Sequence, residues 1–111
     1  VFWVEMTTKS EILNFLSSQK ERLFLLGVTK LGLFGSYAKG KEDAFSDIDI
    51  VIETDAKKMV KSLGNPFLVV TFLDDFRKSV SDKFGVLVDI CDTTSMSAQT
   101  KEELVKGAIY V

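Results

Sequence analysis

The chain has 111 residues, of which 46% are apolar and nine are phenylalanine, so we expect one domain, spanning residues 1–111, with a well-packed core. Its formal net charge of −2 provides no basic field to hold phosphates, which excludes stable binding of DNA or RNA. The chain contains no His, which excludes Ser-His-Asp and Cys-His catalysis and His-based zinc sites and leaves carboxylates, hydroxyls, lysines and backbone amides for any chemistry.

The sequence predicts a mixture of helices and strands along the chain. Apolar periodicity, β-branched runs and boundary Gly or Pro residues predict the elements in order. They are a helix over 9–26, a strand over 28–34, a helical turn over 36–40, a polar loop over 41–46, a strand over 47–53, helices over 57–63 and 66–84, a strand over 86–91, a helix over 100–107 and an apolar tail over 108–111. The run 67–72 is also compatible with a strand. Residues 1–5, before Met6, are interpreted as an N-terminal extension. This order predicts an α/β (α+β) fold with a small mixed β-sheet and helices packed on one side.

Gly35 and Ser36 are the first candidate site, because they end an apolar strand abruptly. Glycine allows a sharp turn and a close approach of the backbone to a ligand. If Ser36 begins a helical turn, free amides and its hydroxyl face the same space, and this arrangement binds phosphate. The competing interpretation is an ordinary strand-to-helix turn that Ser36 caps.

Asp47 and Asp49 open the next strand, after ten residues that follow Ser36. Side chains two positions apart on a strand face the same way, so the two carboxylates should project side by side. A cation relieves the repulsion between them, and a set of oxygen ligands suits Mg²⁺ or Mn²⁺. Alternatively, the pair is a solvent-exposed start of a strand.

Asp89 interrupts the apolar run of the third strand. Carboxylates are rare in buried strands unless they have a partner. If this strand lies beside the strand that begins at Asp47, Asp89 completes a cluster of three carboxylates. The alternative is an edge strand from which Asp89 faces water.

These residues together resemble the signature of the minimal nucleotidyltransferases, the smallest members of the DNA polymerase β-like nucleotidyltransferase superfamily. That signature is Gly-Ser, ten residues and Asp-x-Asp, and the chain carries Gly35-Ser36, residues 37–46 and Asp47-Ile48-Asp49. The resemblance extends to Val88-Asp89-Ile90, the first helix and residues 103–111. It implies the polymerase β-like nucleotidyltransferase fold.

The resemblance implies a role for each matching residue. Gly35 and Ser36 correspond to the pair that holds the triphosphate of the nucleotide donor, expected to be ATP. Asp47 and Asp49 correspond to the carboxylates that bind two Mg²⁺ or Mn²⁺ ions. Asp89 corresponds to the third carboxylate, which binds the catalytic ion and helps to deprotonate the attacking hydroxyl.

Two positions depart from the pattern of many relatives, which have Arg where this chain has Tyr37 and Lys39. Tyr37 in place of Arg removes a phosphate contact, and its ring can either stack on a ligand or cover the core. Lys39 keeps the positive charge without the bidentate fork of Arg, so it is retained as a candidate contact to the triphosphate. On a surface loop, the alternative for Lys39 is a plain solvated side chain.

The resemblance also implies a partner. Minimal nucleotidyltransferases are typically encoded beside a HEPN-domain protein, and the two resemble a toxin–antitoxin pair in which the nucleotidyltransferase is the antitoxin. We therefore expect metal-dependent transfer of AMP from ATP to a hydroxyl acceptor, a tyrosine of the cognate HEPN toxin. An apolar docking patch is expected at Phe2-Trp3 or at residues 108–111, and assembly into homo- or hetero-oligomers stays open.

Two other functions remain open. A catalytically inactive binding module would neutralise its partner by contact alone, and a small-molecule nucleotidyltransferase would modify an antibiotic such as an aminoglycoside. The compartment expected in each case is the cytoplasm, because the single Cys91 cannot form an intrachain disulfide and no apolar run approaches the roughly 20 residues of a membrane span.

Overall fold

The computed structural model describes residues 7–111. Five helices and four strands follow one another in this range: α1 (Lys9–Leu26), β1 (Val28–Phe34), α2 (Gly35–Lys39), β2 (Ile48–Thr54), α3 (Ala56–Leu63), α4 (Pro66–Phe84), β3 (Val88–Asp92), α5 (Ala98–Leu104) and β4 (Ile109–Tyr110). The expectations for residues 1–5 and for Phe2-Trp3 lie outside the described residues. Within residues 7–111, none of the helices has the length and apolar character needed to cross a bilayer.

The predicted bounds of the two long helices are confirmed, because local capping residues set them. The Thr8 hydroxyl accepts a hydrogen bond from the Glu11 amide at 3.2 Å, which starts α1. Asn65 accepts from the Leu68 amide at 2.9 Å, which starts α4 and overturns the alternative of a strand over 67–72. Caps of this kind satisfy amides that have no partner within the helix.

The C-terminal part of the chain differs from the prediction in several bounds: β3 spans Val88–Asp92 rather than 86–91, and α5 ends at Leu104 rather than at residue 107. The last helix begins at Ala98 rather than residue 100, because the Ser97 hydroxyl accepts from the Thr100 amide at 3.2 Å. Residues 109–110, predicted to lie in an apolar tail, form β4 and pair with β1. The Val111 amide extends this pairing by donating to the Leu31 carbonyl at 2.9 Å.

The four strands form one mixed sheet in the order β3-β2-β1-β4. Strand β1 is antiparallel to both β2 and β4, whereas β2 and β3 are parallel. A parallel pair requires a long crossover connection, and α3 and α4 supply it. The predicted mixed sheet is therefore confirmed.

The two faces of the sheet have different neighbours. Ile48, Ile50 and Ile52 of β2 belong to the main core, which they share with the long helices; burying each such side chain stabilises the fold by about 1.5–3 kcal/mol. The alternate positions point to the opposite face, where Glu53 forms an ion pair with Lys101 of α5. Asp49 lies on this second face, because strand side chains alternate.

Candidate active site

Asp49 and Asp89 occupy paired positions on the parallel strands β2 and β3. Residues in register on neighbouring strands project to the same side of the sheet, so the two carboxylates share the face that the long helices leave free. Asp49 is half-buried and Asp89 is exposed. The condition set for Asp89, that its strand lies beside β2, is therefore met. The alternative is met as well, because β3 is an edge strand of the sheet and Asp89 is exposed.

Asp47, predicted to be the first residue of the strand, lies immediately before β2 and is exposed, as the alternative of a solvent-exposed strand start expects. Its charge nevertheless acts on the half-buried Asp49: burial, then the charge of Asp89, then the charge of Asp47 raise the pKa of the Asp49 carboxyl. Repulsion among like charges disfavours their joint ionisation. Asp49 thus interacts electrostatically with both of the other acids.

This donor set suits a hard divalent cation in its chemistry, because it offers carboxylate oxygens alone and their mutual repulsion falls when a cation binds. Residues 7–111 contain no group of three or more His, Cys, Asp or Glu side chains close enough to hold a metal ion. The three-carboxylate metal site at Asp47, Asp49 and Asp89 therefore stays a prediction, of which the register supports the Asp49–Asp89 pair.

Gly35 lies against the Asp49 carboxylate. A Cβ atom at this position would overlap Asp49 Oδ2 and would come within 3.1 Å of Asp49 Cγ. The residue also has a φ of 74°, in the left-handed region that disfavours other residues. Glycine is therefore required here twice, once for the backbone conformation and once for the approach of the acid.

The first turn of α2 follows directly from Gly35. The residue at its N-cap is Phe34, which makes no side-chain cap hydrogen bond, and Phe34 pairs with Asp49 across β1 and β2. The other helices of residues 7–111 are capped by Thr8, Asp55, Asn65 and Ser97. Ser36 lies inside α2, so the competing interpretation of this residue as an N-cap is wrong. The amides of this short turn are left without a side-chain cap beside the acids.

The two departures from the family pattern lie in different environments. Tyr37 is only 2% exposed and belongs to the core; burial, then the charges of Glu42 and Asp43, raise the pKa of its phenol. The choice between stacking on a ligand and covering the core is thus decided for the core. Lys39 is exposed at the other end of α2, where its side chain passes Gly107, and its contact to a triphosphate stays a prediction.

Sequence reasoning missed two apolar residues at this site. Phe45 is 93% exposed and Leu87 is 71% exposed, and each lies two positions before one of the acids, Asp47 and Asp89. The sequence does contain a signal for the exposure of Phe45, because a phenylalanine within a polar surface loop has no core to pack against. The sequence gives no such signal for Leu87, because it belongs to the apolar run 86–91 that predicts a strand.

Comparisons with known proteins identify the family and relatives of this chain. The family model described as a nucleotidyltransferase domain matches residues 9–111. Protein adenylyltransferase MntA of Thermococcus cleftensis is 27% identical over 107 residues, which cover 96% of this chain and 98% of that protein. A protein of Methanocaldococcus jannaschii, provisionally named protein adenylyltransferase MJ1379, is 31% identical over 108 residues, which cover 96% of this chain and all of that protein.

Two solved structures share the fold. One, provisionally described as a minimal nucleotidyltransferase, aligns with a TM-score of 0.67 at 19% identity and covers 96% of this chain and 98% of its own. The other is described as a toxin–antitoxin with AMP-PNP and aligns with a TM-score of 0.59 at 19% identity, covering 94% of this chain and 72% of its own. At these identities the likeness concerns the fold.

Proposed function

The chain belongs to the nucleotidyltransferase domain family and is a nucleotidyltransferase, and from this premise we propose that it transfers AMP from ATP to a hydroxyl group of a protein. The observation that carries the proposal is that three other residues of the candidate site adjoin or influence Asp49. Asp49 is in register with Asp89, it is influenced by the charge of Asp47, and it lies against Gly35 at the start of the uncapped α2.

The proposed roles of the residues follow from this placement. Asp47, Asp49 and Asp89 would hold two Mg²⁺ or Mn²⁺ ions, which when bound neutralise the triphosphate and lower the pKa of the acceptor hydroxyl. The free amides of α2 and the Ser36 hydroxyl would bind phosphate oxygens, because a helix start favours anions.

Group transfer then needs little covalent chemistry from the protein. The acceptor oxygen forms a bond to the α-phosphorus of ATP, the bond from that phosphorus to the bridging oxygen breaks, and pyrophosphate leaves. The exposed Asp89 is the group that we propose to assist removal of the hydroxyl proton, since it lies on β3, on the side of Asp49 away from α2.

The acceptor that we propose is a tyrosine of a cognate HEPN-domain toxin, which would make this chain an antitoxin. Both curated relatives carry the name protein adenylyltransferase, and one structural neighbour is described as a toxin–antitoxin with AMP-PNP. These names support a protein acceptor and ATP as the donor. The HEPN identity of the partner is inferred from the resemblance in sequence.

The direct test is label transfer. The purified chain is incubated with Mg²⁺, α-labelled ATP and the HEPN-domain protein that a neighbouring gene encodes, and the products are resolved by electrophoresis. We expect label on the HEPN protein with the wild type and with Asp75→Asn, an exposed control on α4, and none with Asp49→Asn. The proposal fails if the wild type transfers no label and binds no ATP in a metal-dependent way, or if Asp49→Asn behaves like the wild type.

A second candidate is an inactive module that neutralises its partner by contact. The observation in its favour is that residues 7–111 lack a preassembled group of three metal ligands. Calorimetric titration with Mn²⁺ and a non-hydrolysable ATP analogue separates the two candidates. An enzyme should bind nucleotide more tightly when metal is present, whereas a contact-only module should release no coupled heat.

A further inference from the structure

We propose that Phe45 and Leu87 form an apolar rim that contacts the residues on either side of the acceptor hydroxyl, so that the acceptor is a hydroxyl-bearing side chain in an apolar, non-acidic protein segment. This inference rests on the proposed function and extends it, because it assigns the class of acceptor sequence and the residues that recognise it.

Leu87 borders the acids directly. The Leu87 carbonyl accepts a hydrogen bond from the Ile48 amide at 2.9 Å, which places Leu87 beside Asp47. Val88 is buried in the core, so Leu87, one residue earlier in an extended segment, points to the opposite side, as Asp89 does. Leu87 therefore shares the face of the acids.

Phe45 is held in its exposed position by an ordered turn. The Asp43 carboxylate accepts from the Phe45 amide at 2.8 Å, and the Ser46 hydroxyl accepts from the Asp43 amide at 2.9 Å. The Ser46 amide also donates to the Asp43 carbonyl at 3.2 Å. These bonds fix the backbone on both sides of Phe45, so the ring is presented to the solvent rather than folded onto the core, an unfavourable exposure in the absence of a partner.

The order of the strands places Leu87 on the side that the acceptor would use. The strand order is β3-β2-β1, and the phosphate turn at Gly35 follows β1, on one side of Asp49. Leu87 leads into β3, on the other side of Asp49. A triphosphate bound at α2 leaves the β3 side for the attacking hydroxyl, which must approach the α-phosphorus opposite the leaving pyrophosphate.

Charge narrows the class of acceptor segment. Exposed carboxylates lie two positions from the rim residues in the sequence, Asp43 and Asp47 on either side of Phe45 and Asp89 after Leu87, so acidic residues next to the acceptor hydroxyl would be repelled. Apolar side chains would be buried against Phe45 and Leu87, and basic residues further along the segment would be attracted. A protein segment with these features can contact the apolar rim and be attracted to the carboxylates at the same time.

The test compares three synthetic peptides with one central tyrosine, flanked by Leu and Val, by Gly and Ser, or by Glu. The rim variant is Phe45→Ser combined with Leu87→Ser. The matched control is Phe67→Ser combined with Val70→Ser on α4, where the side chains are 76% and 67% exposed. KM and kcat for AMP transfer are measured for each peptide, together with the affinity for labelled ATP.

We expect the wild type and the control to prefer the apolar peptide and to modify the Glu-flanked peptide worst. The rim variant should raise the KM for the apolar peptide about tenfold, because two apolar contacts are lost, with kcat and ATP affinity unchanged. Equal kcat/KM for the three peptides, an unchanged KM in the rim variant, or an equal loss in the control overturns the inference.

Binding without transfer is also decisive. The methyl resonances of Leu87 are followed in a ¹³C-labelled wild-type sample while the apolar peptide is added. A shift of these resonances, and weaker binding of the peptide by Phe45→Ser, supports the apolar rim even if no AMP is transferred, whereas an unmoved Leu87 signal contradicts it. Failure of the proposed function is recognised separately, because the wild type would then show no metal-dependent binding of ATP.

Discussion

The substitution Gly35→Ala should separate the fold of this protein from its chemistry. Gly35 has a φ of 74°, and an L-residue in the left-handed region costs about 1–2 kcal/mol. The added Cβ would also overlap Asp49 Oδ2. Because the backbone of Asp49 is paired on both sides, with Phe34 and Asp89, the carboxylate rather than the strand is expected to move.

The expected outcome has two parts. The free energy of unfolding should fall by about 1–2 kcal/mol for the backbone, with a smaller further loss where the new methyl group meets Asp49. Nucleotidyl transfer should fall by about two orders of magnitude, because a displacement of about 1 Å in a catalytic group has an effect of this size. Affinity for Mn²⁺, measured by titration, should fall together with transfer.

Gly85→Ala is the matched control. Gly85 has a φ of 65° and ends α4, and a Cβ built there would meet nothing within 4 Å. Urea unfolding should therefore show a similar backbone loss for this variant, while transfer and Mn²⁺ affinity stay at the wild-type level. If Gly35→Ala retains wild-type transfer and Mn²⁺ affinity, the contact between Gly35 and Asp49 has no bearing on the chemistry and the reasoning is refuted.

Three further outcomes follow from individual contacts. The pKa of Asp49 is raised in the folded state, so the stability that this group contributes is complete below the unfolded-state pKa of about 3.9 and is lost as the pH rises through the folded-state pKa. From acid to neutral pH, the urea midpoint of Asp49→Asn should therefore rise relative to that of the wild type. The same pH dependence of the midpoint in both proteins would contradict this. Gly32→Ala would bring a Cβ within 2.7 Å of the Ile109 carbonyl oxygen. We therefore expect the unfolding free energy to fall by about 1–3 kcal/mol and amide hydrogen exchange in β4 to become faster; unchanged exchange in β4 would contradict this. Asn65→Ala removes the cap on the Leu68 amide and should lower the unfolding free energy by about 1 kcal/mol, an effect that Asn65→Asp, measured beside it, should largely avoid.

Local signals account for the elements that the sequence predicted well. Thr8 and Glu11 fix the start of α1, and Asn65-Pro66 fixes that of α4, because a helix cap involves residues only three positions apart. The strand β4 was missed for the opposite reason. Two residues carry no periodicity, and their strand conformation comes from hydrogen bonds to β1, far away in the chain.

At the candidate site too, features that depend on local sequence were predictable and features that depend on distant pairing were not. The spacing of Gly35, Asp47 and Asp49 is visible in the sequence, and so is an acid inside an apolar strand at Asp89. The pairing of Asp49 with Asp89 is a property of strand order and register, which the sequence supported only as a condition. The contact of Gly35 with the Asp49 carboxylate could not be seen at all, because glycine already had a sufficient explanation in the sharp turn.

Strand β2 explains why these separate features meet. Its antiparallel pairing with β1 brings Phe34, and hence the turn at Gly35, to Asp49, and its parallel pairing with β3 brings Asp89 to the same residue from the other side. Ile48 and Ile50 flank Asp49 in sequence and are completely buried on the opposite face. A shift of the register by one residue would expose both isoleucines and turn Asp49 into the core, so burial of these neighbours is what holds the acid on the open face. The hydrophobic core therefore determines the position of the chemistry, although none of its side chains takes part in it.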